Sequence, residues 1–227
     1  MAFNSTFGRV FSPTFQPRSV VSGVEPWWLS GGIAAANCVA AYQPKGAADY
    51  ATSKLNLNAP GTNDAIKAGA NESGWSSLGW LPNGEALNCL KAPVAITTNY
   101  SVFIKLTCSL SDRRCAAGYY NVNNSWVIFA RENTDVVGFY NGQYNAGTNA
   151  PAHSSGVIGM AGTNCYRDGV LVTTRAGGAN IPWLAIGYLG ASSYALPSGS
   201  VIQAMAIYDI TITPTQVGLL TAAMAAL

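Results

Sequence analysis

Charge is what this sequence has least of. Asp, Glu, Lys and Arg make up 10% of its 227 residues, where a soluble domain usually carries about a quarter. The net charge is +2, and the densest basic spot is Arg113-Arg114. The absence of a basic stripe argues against nucleic-acid binding, and Arg113-Arg114 reads as a solvated loop. Histidine is reduced to one, His153. The five cysteines (Cys38, Cys89, Cys108, Cys115 and Cys165) show no C-x-x-C spacing, so a zinc site has no support. They read as small packed hydrophobes, with a Cys108–Cys115 bridge as the alternative in an oxidising medium. Every apolar run is broken by Gly, Pro or Asn before it reaches the length of a membrane span. The first residues, Met1 to Arg9, show no basic segment leading into an apolar one. Folding in a cytoplasm is therefore expected.

What the sequence does contain is strand and turn. Hydrophobic residues make up 49%, and Gly, Ala, Ser, Thr and Asn fill most of the rest. At this length one β-sandwich can bury a full core. Cys38–Tyr42 reads as a first core strand, and residues 47–54 as a short helix or turn. Val102, Ile104, Leu106 and Cys108 alternate with Ser101, Phe103, Lys105 and Thr107, which predicts a half-buried strand. Residues 126–130, 136–140 and 157–161 are further strands. Asp168-Gly169 then sits between apolar runs as a hairpin turn. Residues 183–188 form a buried-strand pattern. Residues 201–212 form a longer strand, with Ile202, Ala204, Ala206 and Tyr208 on one face. Thr213-Pro214-Thr215-Gln216 supplies an N-cap, a first-turn proline and a capping-box partner for a closing helix.

The run Cys165-Tyr166-Arg167-Asp168-Gly169-Val170-Leu171, the strand with Ile186-Gly187, the strand ending Ile207-Tyr208-Asp209 and the closing helix follow one another in an order that resembles concanavalin A-like, laminin-G-like jelly-roll domains. The resemblance implies an all-β, concanavalin A-like antiparallel β-sandwich (jelly roll), with an extended N-terminal arm over residues 1–25, a sandwich over 26–212 and a short C-terminal helix over 213–227. Asn56, Asn58, Gly61 and Asn63 stand where that family has an acidic loop, which puts a metal role in doubt. Trp28–Cys38, Ala41–Ala47, Ile202–Asp209 and the arm Gly8-Arg9-Val10-Phe11-Ser12-Pro13-Thr14-Phe15-Gln16-Pro17 are similar to laminin-G-like proteins met in phage and environmental bacterial sequences. That implies a particle or surface component, and brings no catalytic residues with it.

The chemistry-bearing residues give little else. His153 lies in a loop with no acid or nucleophile near it in sequence, and reads as a surface residue. Glu132 and Asp135 are spaced to fall on opposite faces of a strand, unlike the paired carboxylates of a glycosidase. No enzyme, cofactor or metal is expected. In the arm, Phe3, Phe7, Phe11 and Phe15 recur every four residues, but Pro13 and Pro17 favour extended backbone. These four are candidate subunit contacts, whether on a neighbour or on the arm's own body. Tyr119, Tyr120, Asn123, Tyr140, Asn141 and Tyr144 are candidate glycan-binding residues, since sugar sites combine aromatic platforms with amide donors. The leading expectation is a non-enzymatic structural protein of a virus-like particle (capsid decoration, head or tail fibre), self-associating or bound to other virion proteins. The alternative is a lectin-like module at an extracellular surface, with a glycan as partner.

Overall fold

The computed structural model describes residues 25–84, 89–109, 114–119, 125–132, 135–142, 151–188 and 194–227. Phe3, Phe7, Phe11 and Phe15 lie outside them. After two 3₁₀ turns, Trp27–Leu29 and Ala35–Asn37, come β1 (Cys38–Tyr42), α1 (Tyr50–Ser53), β2 (Ile66–Lys67), β3 (Gly74–Ser76), β4 (Gly79–Leu81) and β5 (Leu90–Ala92). The chain continues through β6 (Ser101–Thr107), β7 (Arg114–Tyr119), β8 (Trp126–Arg131), β9 (Gly138–Asn141) and β10 (Ser155–Ala161). It ends with β11 (Asn164–Arg167), β12 (Val170–Thr174), β13 (Leu184–Ile186), β14 (Val201–Tyr208) and α2 (Pro214–Ala225). One sheet runs β12-β11-β10-β6-β14-β4-β3, with β1 also paired to β14; the second runs β2-β5-β13-β7-β8-β9. All pairings are antiparallel, and the chain is the β-sandwich that its sequence predicts.

The core between the sheets holds Trp80, Leu90, Ile104, Trp126, Ile128 and Phe139, all fully buried. Each such side chain contributes roughly 1.5–3 kcal/mol through burial. The eight-stranded sheet is covered on its other face too. There Phe103, Ala206, Tyr208, Val217, Leu220 and Met224 form a second cluster under α2 and the Trp27–Leu29 turn. This corrects two expectations. β6 is not half-buried, because Phe103 packs beneath the helix while Val102, Ile104 and Leu106 point into the sandwich. Nor do Ile202 and Ala204 share a face. A register shift between them turns Ile202 into the sandwich core, while Ala204, Ala206 and Tyr208 face α2. One extra residue in a strand inverts every side chain beyond it.

The local signals of the tail hold in the structure. Asp168 and Gly169 turn with φ of 49° and 80° between β11 and β12, the two positive values that a tight two-residue hairpin requires. The Thr213–Gln216 capping box forms in full. At the far end of α2 the Lys105 ammonium donates to the Ala225 carbonyl at 2.9 Å, where the helix dipole favours a cation. The Tyr208 hydroxyl donates to the Trp28 carbonyl at 2.7 Å and ties the N-terminal turn to the same face. Arg114 opens β7 rather than a solvated loop, and its Nη1 donates to the Ala195 carbonyl at 3.1 Å.

β10 lies beside β6 only because residue 159 is glycine. A Cβ there would stand 2.4 Å from both the Phe103 ring and the Val102 carbonyl oxygen. Gly159→Ala is therefore expected to cost about 1–3 kcal/mol by overpacking, against about 1 kcal/mol for Thr213→Ala at the helix cap. Urea unfolding midpoints of both variants check the ranking, and a Gly159→Ala protein as stable as the parent would disprove the close approach.

Candidate functional site

α2 and the N-terminal turn cover the middle of the outer face of the eight-stranded sheet, and the candidate aromatic residues belong to the six-stranded one. Ile66, Lys91, Ala185, Gly118, Val127 and Tyr140 stand directly opposite one another across β2, β5, β13, β7, β8 and β9. Directly opposed residues share a face. Their strand neighbours Leu90, Leu184, Ile128 and Phe139 lie in the core, so this row is on the outer side of the sheet. Ala185, Gly118 and Val127 are nevertheless buried there, and Ile66, Lys91 and Tyr140 are the members that reach the surface.

Two aromatic groups flank the row. On one side Phe129 is covered by Tyr140 and Tyr194, with ring centroids 5.6 and 6.0 Å away. Tyr140 and Tyr194 are both half-buried. On the other side Trp183 leads into β13. Tyr119 stands at 87° to it with centroids 5.0 Å apart, and the Lys91 ammonium lies 5.1 Å from the Trp183 ring centroid. Trp183, Tyr119 and Lys91 are each half-buried, while Ile66 beside them is 45% exposed. This is an aromatic corner with a cation on it. It can hold the apolar face of a ring against an aromatic wall and donate hydrogen bonds from the ammonium.

The candidate residues divide three ways. Tyr140 lies in this row, whereas Tyr119 stands opposite the core residue Trp126, packs against the sandwich core and meets Trp183 at the end of the sheet. Asn141 is fully buried. Its Nδ2 donates to the Gly162 carbonyl and its Oδ1 accepts from the Ala179 amide, both at 3.2 Å. A sugar hydroxyl would have to displace both bonds, so Asn141 fastens loops instead. Tyr120, Asn123 and Tyr144 lie outside the described residues. Sequence reasoning missed Trp183, treating it as the first residue of a buried strand, and missed Lys91. A period-2 reading was available: with Leu184 and Ile186 inward, Trp183 faces out, and Lys91 is the polar position between Leu90 and Ala92.

His153 is not a surface residue; it is fully buried. β11 and its turn bring two charged groups to it. Arg167 Nε donates to His153 Nδ1 at 2.9 Å, and Asp168 Oδ1 lies 3.7 Å from His153 Nε2. An acceptor at Nδ1 requires the neutral Nε2–H tautomer. Both ring nitrogens are thus turned to Arg167 and Asp168, and neither faces a serine or cysteine nucleophile. A Cβ on Gly156 would sit 2.3 Å from Asp168 Oδ1 and 2.8 Å from His153 Nε2, so only glycine admits this contact. Burial pushes the His153 pKa down, Asp168 pulls against that, and Arg167 adds to it. Elsewhere, Glu132 is buried, whereas Asp135 is exposed and pairs with Arg131 at 2.5 Å. The two carboxylates do not form a pair across a cleft.

The Asn-rich loop after α1 is held by amides. Asn56 Oδ1 accepts from the Ala41 and Asn58 amides at 3.0 and 3.1 Å; Nδ2 donates to the Val39 and Thr62 carbonyls at 3.0 and 2.8 Å. Every hydrogen-bonding position of that amide is in use. Among the described residues no group of three His, Cys, Asp or Glu side chains is placed to hold a metal ion. The five cysteines are free and buried. Burial lifts the thiols of Cys38 and Cys165 to about 12 and those of Cys89 and Cys108 to about 11, so they stay protonated and unreactive at neutral pH. Among the described residues no helix is long and apolar enough to cross a membrane.

No protein-family model matches this chain, and neither does any curated protein. Solved structures do. Domain 4 of AbnA, a GH43 extracellular arabinanase from Geobacillus stearothermophilus in complex with arabinotriose, superposes with a TM-score of 0.60 at 14% identity, covering 82% of this chain and 98% of that one. Trypanosoma rangeli sialidase in complex with sialic acid gives 0.55 at 16% identity over 83% of this chain. The match takes in 33% of the sialidase, so it is to part of that protein only. A mutant of HCR/D gives 0.58 at 7% identity, covering 84% and 52%. These likenesses establish a β-sandwich fold.

The His153 cluster sets a pH dependence. With the folded pKa below the unfolded value near 6.5, the unfolded chain takes up the proton first. The stabilisation is then complete above about pH 6.5 and is lost as pH falls towards the folded value. Urea midpoints between pH 7.5 and 5 should fall more steeply for the parent than for His153→Gln, which does not titrate. Parallel curves would show that His153 does not contribute.

Proposed function

We propose that this chain is a non-catalytic carbohydrate-binding β-sandwich module, taking glycans at the aromatic corner where Trp183 leads into its six-stranded sheet. The observation that carries the reading is the corner formed by Trp183, Tyr119 and Lys91. Aromatic side chains buried in the core satisfy packing alone. A half-exposed Trp with a Tyr held at a right angle to it offers a wall for the C–H face of a sugar ring. The similarity in fold to an arabinanase domain solved with arabinotriose, and to part of a sialidase solved with sialic acid, supports the same reading. The absence of catalysis is part of the proposal. It is supported by a histidine turned to Arg167 and Asp168 and by the separation of Glu132 from Asp135. The particle-subunit reading depends on the Phe-bearing arm, which lies outside the described residues, so no contact described above favours it.

Affinity electrophoresis through gels carrying arabinan, a galactan or a sialylated glycoprotein tests the proposal. The parent chain is expected to be retarded by at least one of them. Trp183→Ala and Tyr119→Ala should each weaken retardation about tenfold or more, as loss of a well-formed aromatic contact of about 1.5 kcal/mol implies. Their circular dichroism should stay unchanged. A parent protein that migrates freely through every matrix would remove the carbohydrate reading.

A further inference from the structure

Among the described residues two lysines are seated on aromatic rings, and they differ in one respect. Lys54 Nζ lies 4.4 Å from the Tyr50 ring centroid and is held by both oxygens of Glu72, each at 3.1 Å. Ring, cation and carboxylate make a closed set there. Lys91 Nζ lies 5.1 Å from the Trp183 ring centroid, but among the described residues no carboxylate is within ion-pair distance of it. The third member is absent at a position that is half-buried and faces outward.

We infer that the Trp183–Tyr119–Lys91 corner selects sugars bearing an anionic substituent, a carboxylate or a sulfate, which takes at Lys91 the place that Glu72 takes at Lys54. This rests on the carbohydrate-binding reading and names the substrate class for the same surface. Three properties of the corner support it. The aromatic ring holds the lysine stem and directs the ammonium, so less side-chain freedom is lost when an anion arrives. Partial burial raises the strength of a charge-assisted hydrogen bond above that of a fully solvated pair. Lys91 is also flanked on its own face by Ile66 and Ala185, neither of which competes for the ammonium. A neutral sugar would satisfy Trp183 and leave the ammonium without a counter-charge.

The test compares acidic oligosaccharides with neutral counterparts on the full chain: 3′-sialyllactose against lactose, trigalacturonate against galactotriose, and a sulfated galactan oligosaccharide against its desulfated form. Titration calorimetry at low salt should show an acidic member of at least one pair binding about tenfold more tightly than its neutral partner, the scale of one charge-assisted hydrogen bond. That preference should collapse in 0.5 M salt (a test condition on the order of molar, where the Debye length is a few Å). It should vanish in Lys91→Gln, whose affinities for the acidic and neutral members become equal, and survive in Lys91→Arg. The sialyl, uronate and sulfate arms show which anion is meant. Equal affinity for acidic and neutral partners, or a preference unchanged in Lys91→Gln, overturns the inference and leaves the carbohydrate reading standing. Binding of none of the sugars overturns both.

Discussion

The pairing of β6 with β14 at the middle of a sheet covered on both faces is the constraint from which the rest of the molecule follows. Along these strands Ile104, Leu106, Met205 and Ile207 enter the sandwich, while Phe103, Ala206 and Tyr208 enter the layer under α2. A strand in that position has no solvent side, so it cannot carry the polar alternation of an ordinary surface sheet. Small residues make the second layer possible. The alanines of β14 leave room for Phe103 and Tyr208, and Gly159 of β10 lies directly against Phe103. The helix that closes this face is largely apolar and carries no charge along its whole length, as suits an element that packs rather than solvates.

The scarcity of charge has a structural counterpart in the way loops are fastened. Where metal ions or ion pairs might bind such loops, this chain uses buried neutral groups. Asn56 draws its loop onto β1, Asn141 links the end of β9 to the turn at Gly162 and the loop at Ala179, and Ser101 joins the segment after β14 by accepting from the Ile212 amide and donating to the Ile210 carbonyl. Each avoids the desolvation cost that burying a charge would incur. His153 is likewise kept neutral between Arg167 and Asp168, and that contact places a pH-sensitive group inside the fold.

Function follows from what this arrangement leaves open. With the middle of one sheet enclosed, the half-buried aromatics stand on and at the end of the other, and the question of chemistry becomes what the corner at Trp183 can recognise. The contrast lies between Lys54, which has its carboxylate, and Lys91, whose ion-pair position no described residue occupies, and the proposed recognition of an anionic sugar rests on it.

Much of this was legible from the sequence alone. The Asp168-Gly169 hairpin, the Thr213–Gln216 cap, the core strand at Cys38–Tyr42 and the sandwich class all depend on residues within a few positions of one another, and such local preferences survive folding unchanged. The faces of β14, the burial of His153 and the meeting of Lys91 with Trp183 were not legible. A single shifted pairing between Ile202 and Ala204 reverses a strand's sides without altering its composition. Likewise His153 meets Asp168, and Lys91 meets Trp183, only because separate strands bring them into register. Sequence by itself determined the longer strands, the Asp168-Gly169 turn and the closing helix, and that few charges would be available. It did not determine the short strands β2 to β5 or β7, whose pairing partners define them. Tertiary structure alone decided which side chains face one another, because that depends on pairings between segments far apart in the chain, where a one-residue slip changes the answer.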